Sequence, residues 1–586
     1  MTNLCNILLN GELINERDMF YRIEKGEAFL IDNFLEIKGN NSNYSFIKFD
    51  TYFNAFSIEK WKKYTNIKSF YLVLKIKGEV YCSIINATNN HKFNIIKTVK
   101  INSDDVKETI IEIPSNINEG LIYFELKAFN DAFFYGGYWG TNQEISNKIK
   151  LGICITTFNR QEAVKSSSSR ILSFLKEDKI DAELIVVDNG KNVNLEKDDK
   201  LILIPNENLG GSGGFARGLY YCKEERKDFT HVLFMDDDAS CEVESIFRTY
   251  NLLKYSNDEK LAIAGSMLFK HEPNIQWENG ANFNIFCKPI GSFRNLYDVK
   301  SLLENEKDTN FDYGGWWFYA FPIKFSQYPY PFFVRGDDVN FGLQRQFNQI
   351  TLNGIATLGD DFFEKESPLT QYLDVRSHFI HHLQVQHLSN DFITLMKVFW
   401  RFIVKYSLIY KYASANAQLE AIRDVLKGPE FFENNIDMKE VFAKIRPLSE
   451  KEKMIPVSLS DYSHFEIGPY VSYSKLAKFI RIITLNGHLL PKIFFKRKGV
   501  ILWKSDNRIA AYFRRKKVLI YHPQSKKGFI LKHNKKEFFL ILFQAILLSY
   551  NIFINRKNLI KRYNEKYNYL TSKEYWEKQF FKKKDK

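Results

Sequence analysis

The sequence predicts an α/β protein: a Rossmann-like, mostly parallel sheet, preceded by a β-sandwich or jelly-roll-like module and followed by a mainly helical region. Three observations carry that prediction. Residues 1–145 contain short runs rich in β-branched and aromatic residues, such as SFYLVLKIKG, VYCSIINA and GLIYFELKAF, parted by Gly, Asn and Asp turns. From about residue 146, continuous apolar runs (KLGICITTF, AELIVVDNG, KLILIPN, THVLFMDDD) end in polar or glycine-rich segments. They alternate with amphipathic stretches such as QEAVKSSSSRILSFLKEDK, the pattern of parallel strands covered on both faces. Beyond Leu383 apolar residues fall at helical spacing, as in DFITLMKVFWRFIVKYSLIYKYASANAQLEAIRDVLKG, which ends at a Gly-Pro stop. The expected divisions are 1–145, 146–385 and 386–586.

Composition narrows the function classes. An apolar fraction of 45% over 586 residues is ample for packed cores and excludes wholesale disorder. Cys5, Cys82, Cys154, Cys222, Cys241 and Cys287 show neither paired spacing nor CxxC, so a disulfide framework or zinc ribbon is not expected and a reducing compartment is. The first residues lack a basic stretch followed by a long apolar one and do not read as a secretory signal. Charge is lopsided: residues 471–586 hold 29 Lys and Arg against 6 Asp and Glu, whereas the rest is mildly acidic. Such a tail attracts anionic lipid headgroups or nucleic acid, but no nucleic-acid module accompanies it. Within it, Phe538 to Ile554 is an apolar run flanked by Lys535-Lys536 and Arg556-Lys557. It is too short to span a bilayer comfortably and suits either the headgroup region of a membrane or a buried helix.

In a parallel sheet, ligands sit beyond the carboxyl ends of the strands. Asp236, Asp237 and Asp238 follow the apolar run HVLFM directly. Alone, such a triplet is as readily a solvated turn. In an extended segment Asp236 and Asp238 face the same way and can hold one hard divalent ion. Asn208 opens NLGGSGGFARG, a glycine-rich loop leading into a helix at FARGLYYCKEE. Its spacing from the preceding strand is wrong for a dinucleotide fingerprint, and packing beneath a sugar or diphosphate fits as well. Thr156 and Arg160 end the first strand, where Arg160 can neutralise a diphosphate. Asn189 ends the second, offering an amide to a base or ribose. Trp316-Trp317 follow two glycines and serve either as core or as a sugar-stacking platform. Asp337-Asp338 precede VNFGLQRQF, so one can cap that helix while the other acts as a general base.

FDTYFNAFSIEKW, FYGGYW, TTFNR, DNG, NLGGSGGFARG, the aspartate triplet, WENG, GGWWF and RGDDVNFGLQR occur in one order along the chain. Together they resemble the bacterial galactofuranosyltransferases of the large inverting family with a GT-A fold, especially the galactan-polymerising type. The resemblance implies a UDP-galactofuranose donor contacted by Thr156, Arg160, Asn189, Asn208, Asp236 and Asp237. It implies Mn²⁺ or Mg²⁺ on Asp236 and Asp238, an acceptor held by Trp316, Trp317 and Glu278, and Asp338 as base with Asp337 beside it. The family's metal-binding His has no counterpart here. Leu358-Gly359-Asp360-Asp361-Phe362 stands in its place, and Asp360 or Asp361 is offered as a substitute. His378, His381 and His382 are read as structural. The expected setting is the inner face of the cytoplasmic membrane, with a glycan or lipid-linked glycan acceptor, an anionic membrane surface under the basic tail, no nucleic acid, and self-association allowed. A transferase of the same fold using dTDP-rhamnose or a UDP-pyranose, or a non-catalytic carbohydrate-binding protein, are the alternatives.

Overall fold

The computed structural model describes residues 1–237, 240–307, 310–360, 365–469, 471–504, 506 and 508–582, without the side chains of 41 and 42. The N-terminal strands β1 (Thr2–Ile7), β2 (Arg22–Lys25), β3 (Glu27–Ile31), β4 (Phe34–Lys48), β5 (Tyr71–Ala87), β6 (Phe93–Glu112) and β7 (Leu121–Thr141) form one antiparallel sheet. Its order is β2-β4-β7-β5-β6, with β1 on β7 and β3 on β4. Register shifts fall midway along the long strands, between Ile37 and Ser45 and around Gly78, and strands bend at such bulges. The antiparallel sheet agrees with the sandwich-type module read from the sequence. Helix α1 (Ile58–Tyr64) buries Trp61 beneath it, stacked on Phe56 at 5.6 Å.

The chain continues through β8 (Leu151–Thr157), α2 (Gln161–Leu175), β9 (Ala182–Asp188), β10 (Leu201–Pro205), α3 (Gly210–Tyr220), β11 (His231–Asp236) and α4 (Val243–Tyr255). There follow β12 (Leu261–Ala264), β13 (Ser266–Phe269), β14 (Glu272–Glu278), β15 (Ala281–Phe283), β16 (Cys287–Pro289), α5 (Val299–Glu306), β17 (Tyr319–Pro322), α6 (Asp337–Leu343), β18 (Asn348–Ile350) and β19 (Ala356–Gly359). The central sheet runs β10-β9-β8-β11-β17-β12-β18, parallel except where β17 pairs with β11 and β12. Alternate side chains divide between two cores. Leu151, Ile153, Ile155, Leu184, Val186, Leu233 and Met235 pack in the core shared with the N-terminal module. Cys154, Ile185, Val187, Val232 and Phe234 pack in the core shared with the C-terminal helices. Both faces are therefore buried, which is why these strands read as unbroken apolar runs.

Helices α7 (Pro368–Gln384), α8 (Phe392–Leu408), α9 (Tyr412–Lys427), α10 (Pro429–Asn434) and α11 (Lys439–Ser449) cover one face. Helix α7 starts at a capping box between Ser367 and Thr370, with Pro368 in its first turn. Helices α12 (Lys475–Ile483), α13 (Lys535–Leu570) and α14 (Lys573–Phe580) complete this mostly helical region. The sequence reading missed a small sheet inside it, ordered β20 (Ile455–Pro456), β24 (Lys527–Lys532), β23 (Lys517–His522), β22 (Val500–Trp503), β21 (Glu466–Ile467). Its strands are short and bordered by Lys and Arg, and the basic runs hide brief apolar stretches such as KVLIYH. The apolar run 538–554 lies in α13, a helix buried along one face and exposed along another. Phe538, Ile541, Ala545, Leu548 and Ile552 are buried, whereas Phe539, Leu540, Phe543, Ile546, Leu547 and Phe553 face outward. This helix is long and apolar enough to cross a membrane by length and composition, with 28% of its most apolar window buried.

Candidate active site

Three parallel strand ends open the site. Thr156 of β8 stands opposite Val187 of β9 and Asp236 of β11. Beyond them lies a cavity of about 1200 Å³ lined by Thr156, Arg160, Asn189, Asn208, Asp236 and Asp237. Most of these groups hold each other. The Asn189 amide donates to Thr156 Oγ1 at 3.3 Å and to the Gly210 carbonyl at 3.0 Å, and its oxygen accepts from Asn206 at 2.9 Å. The Asp237 carboxylate accepts from Thr157 Oγ1 and from Arg160 Nη1, the latter at 3.1 Å. Asp237 thereby fixes the arginine at the cavity wall.

The glycine-rich stretch is helical from its start, where the sequence reading placed a loop. Helix α3 begins at Gly210, whose φ of 72° suits glycine, and a Cβ there would lie 2.1 Å from the Phe333 carbonyl. A Cβ at Gly214 would lie 1.7 Å from Thr156 Oγ1. The glycines let the first turns of α3 press against β8.

A second cavity of about 580 Å³ is lined by Glu278, Trp316, Trp317, Asp337, Asp338 and Asp360, and meets the first along Gly211, Asp236, Val334 and Lys365. Arg335 and Gly336 take positive φ values of 63° and 91°, a sharp turn that sets Asp337 and Asp338 in the first turn of α6. The residue before the helix is Gly336, so neither aspartate occupies the capping position expected from the sequence. Asp337 accepts from Ser212 Oγ at 3.1 Å, and Asp338 Oδ1 accepts from the Val339 amide at 2.8 Å. Burial, reinforced by the Asp337 charge, pushes the Asp338 carboxyl up to about 7. Burial, with Asp338 nearby, pushes Glu278 up to about 8. Glu278 is 4% exposed, and its Oε1 has no hydrogen-bond partner among the described residues.

The two tryptophans contribute only their margins to this cavity, being 3% and 8% exposed. Trp316 is wedged edge-on among Phe215, Phe234 and Phe341 at 5.1–5.5 Å, and Trp317 Nε1 donates to the Gly265 carbonyl at 3.1 Å. Of the expected metal ligands, Asp236 and Asp360 both border the second cavity. Asp238 and the alternative Asp361 lie outside the described residues, among which no three His, Cys, Asp or Glu side chains converge on a metal position. Carboxylate oxygens suit a hard divalent ion, so the donors present fit Mn²⁺ or Mg²⁺ by chemistry.

His381 and His382 are buried in α7, as a structural reading requires; His378 and His381 also border the second cavity. His378 Nδ1 donates to the Asp374 carbonyl at 2.7 Å. Sequence reasoning missed the walls supplied by distant segments. Arg335, Gln371, Asp374, Arg401, Lys405 and Tyr406 line the second cavity, and Phe442, Phe580 and Phe581 line the first. No local signal marks them, because each becomes a site residue only through tertiary packing.

Residues 34–142 match the family model described as galactofuranosyltransferase 2 N-terminal, and residues 152–321 match glycosyl transferase family 2. Galactofuranosyltransferase GlfT2 of Mycobacterium tuberculosis is 24% identical over 425 residues, 66% of each chain. Its Mycolicibacterium smegmatis counterpart is 22% identical over 419 residues, covering 66% of this chain and 64% of that relative's own length. Among solved structures, GalNAc-T7 with UDP, GalNAc and Mn²⁺ aligns at 9% identity over 43% of this chain and 50% of its own, with a TM-score of 0.29. Glucosyl-3-phosphoglycerate synthase from M. tuberculosis aligns at 11% identity over 39% and 79%, with a TM-score of 0.25, and neither likeness is close enough to carry an argument. Most of the central sheet thus falls in the stretch that matches glycosyl transferase family 2, and most of the N-terminal sheet in the stretch that matches the galactofuranosyltransferase 2 N-terminal model.

Proposed function

We propose that the chain transfers galactofuranose from UDP-galactofuranose to a glycan acceptor, with inversion at the anomeric carbon. The observation that supports this best is the division of the site. The residues expected to contact a nucleotide line one cavity, the buried carboxyl pair lines the other, and Asp236 stands where they meet. Arg160, held by Asp237, faces the diphosphate in the first cavity. In the second, Asp338 takes the proton of an acceptor hydroxyl as that oxygen bonds to the anomeric carbon and the bond to UDP breaks. A carboxyl titrating near 7 is matched to that task at neutral pH. Asp337, anchored on Ser212, positions its neighbour. Glu278 is neutral at that pH and donates a hydrogen bond to a sugar oxygen, while the margins of Trp316 and Trp317 shape the acceptor's seat. Asp236, with Asp238 and Asp360, would hold Mn²⁺ or Mg²⁺. Such an ion, when bound, offsets charge on the departing diphosphate.

The same proposal places the protein at an anionic membrane surface, where a lipid-linked glycan acceptor would be met. Helix α12 has no buried residue; Leu476 and Ile482 are 68% and 61% exposed beside Lys475, Lys478 and Arg481. The outward apolar face of α13 adds to it. A donor panel tests the activity: purified protein, Mn²⁺, a galactoside acceptor, and UDP-galactofuranose, UDP-galactopyranose or dTDP-rhamnose, reading nucleotide release. Acceptor-dependent release from UDP-galactofuranose alone is expected; release only from another donor overturns the assignment.

A further inference from the structure

The second cavity has a cationic wall that the transfer step leaves unused. Arg401 and Lys405 lie one turn apart on α8, and both border the cavity of Asp338 but not the nucleotide cavity. Like charges at that spacing repel, and a nearby carboxylate usually offsets them. Among the described residues neither side chain makes an ion pair. Asp374 is taken by Arg335 at 2.7 Å, and Glu366 by Lys411 at 2.7 Å together with the Tyr406 hydroxyl. Arg401 lies instead over the Phe286 ring, 4.3 Å from its centre. Burial, with Lys411 and Arg401 nearby, holds the Lys405 ammonium below its ordinary range despite the pull of Glu366. Of the cavity's acids, Glu278 and Asp338 are pushed up to about 8 and about 7, so their charge at neutral pH is reduced, while Asp236 lies where the two cavities meet, Asp337 at the start of α6 and Asp360 directly after β19.

We infer that Arg401 and Lys405 form an anion subsite that takes a phosphate ester carried by the acceptor and so presents the acceptor hydroxyl to Asp338. The inference rests on reading the second cavity as the acceptor chamber. A guanidinium and an ammonium on one helix face suit phosphate, whose several oxygens can meet both cations and whose charge removes their repulsion. The Phe286, Phe402 and Tyr406 rings line the same cavity and give the adjoining sugar an apolar seat. The phosphate has two chemical sources, a phosphodiester within a glycan or the diphosphate of a lipid-linked saccharide.

Calorimetric titration of the full chain with three probes tests this without requiring turnover. The probes are a neutral octyl galactoside, a galactoside bearing a glycerol phosphodiester, and a galactoside on a short-chain alkyl diphosphate. At least one phosphate-bearing probe should bind about tenfold more tightly than the neutral one, and whichever gains more identifies the source. Arg401→Gln with Lys405→Gln should bring that probe down to the affinity of the neutral galactoside, with UDP binding retained as evidence of an intact fold. Equal affinity for all three in the unaltered protein, or a gap that survives the substitutions, overturns the subsite while leaving the acceptor chamber standing. If no galactoside binds although UDP does, the acceptor reading fails and the subsite with it.

Discussion

The two cavities are built on opposite plans. In the nucleotide chamber Asn189, Asn206, Thr156, Asp237 and Arg160 are already bonded to one another, so their geometry is set before any ligand arrives. In the carboxylate chamber two buried polar groups lack the partners they would normally seek. Glu278 Oε1 has none, the Trp316 Nε1 donor has none among the described residues, and Asp338 carries a proton well above the usual carboxylate range. A preorganised chamber binds, whereas a frustrated one stores reactivity for the transition state. On the proposed function, affinity belongs to the first cavity and chemistry to the second.

The largest expected effect lies in the second chamber. Asp338→Asn removes the proposed proton acceptor and should lower kcat by about 10²–10⁴-fold in initial-rate measurements. If Asp337→Asn is the dead variant and Asp338→Asn stays active, the two residues exchange roles. In the first chamber, Gly214→Ala drives a methyl into Thr156 and should cost about 1–3 kcal/mol, seen as a lower Tm together with weaker UDP binding. An unchanged Tm would mean that α3 yields freely and that the chamber is less rigid than its bonds suggest.

The pH dependence sharpens the contrast further. Transfer should rise with pH through about 7 as Asp338 loses its proton, and decline above about 8 as Glu278 ionises. Asp338→Asn flattens the acidic limb of whatever activity remains, and Glu278→Gln the alkaline one. Stability runs the other way. Unfolded, Asp338 titrates near its ordinary 3.8; folded, near 7. Between those values the native state holds a proton that the unfolded state has lost, so stability falls as pH rises through that window. Asp338→Asn should therefore raise Tm at pH 7, visible by calorimetry. The smallest effect on either chamber is expected from α12. Phe479→Ser with Ile482→Ser should abolish flotation with anionic vesicles at low salt, and donor binding should not change.

How much of this was legible in the sequence follows from the same contrast. Thr156, Asn189 and Asp236 end apolar runs whose strands β8, β9 and β11 are neighbours in the sheet, and strand ends of a parallel sheet are where ligands gather, so this side of the first chamber could be read from local pattern. Asp337 and Asp338 were visible as a pair, but not that Gly336 would begin the helix or that Ser212 would anchor one of them. The glycines of 210–214 signalled close approach and were read as a loop, since nothing local reveals that β8 lies within touching distance. The distant walls, Arg401 and Lys405 on one side and Phe580 and Phe581 on the other, carried no mark at all. Helix α14 returns to the central domain through Tyr220 and Glu577, 3.0 Å apart, and through Trp576 Nε1 on the Pro329 carbonyl at 2.9 Å. The basic tail thus lines the first chamber as well as offering a candidate membrane surface, two placements that charge counting does not separate.

The division of labour is tested most directly by calorimetric titration of UDP into the unaltered protein, Asp338→Asn and Asp237→Asn, with transfer rates measured on the same preparations. The account predicts that Asp338→Asn keeps its UDP affinity while losing transfer. Asp237→Asn, by releasing Arg160, should weaken UDP binding by about tenfold, the scale of one charge-assisted hydrogen bond, and recover much of its rate at saturating donor. Loss of UDP affinity in Asp338→Asn, or unchanged affinity in Asp237→Asn, would contradict it.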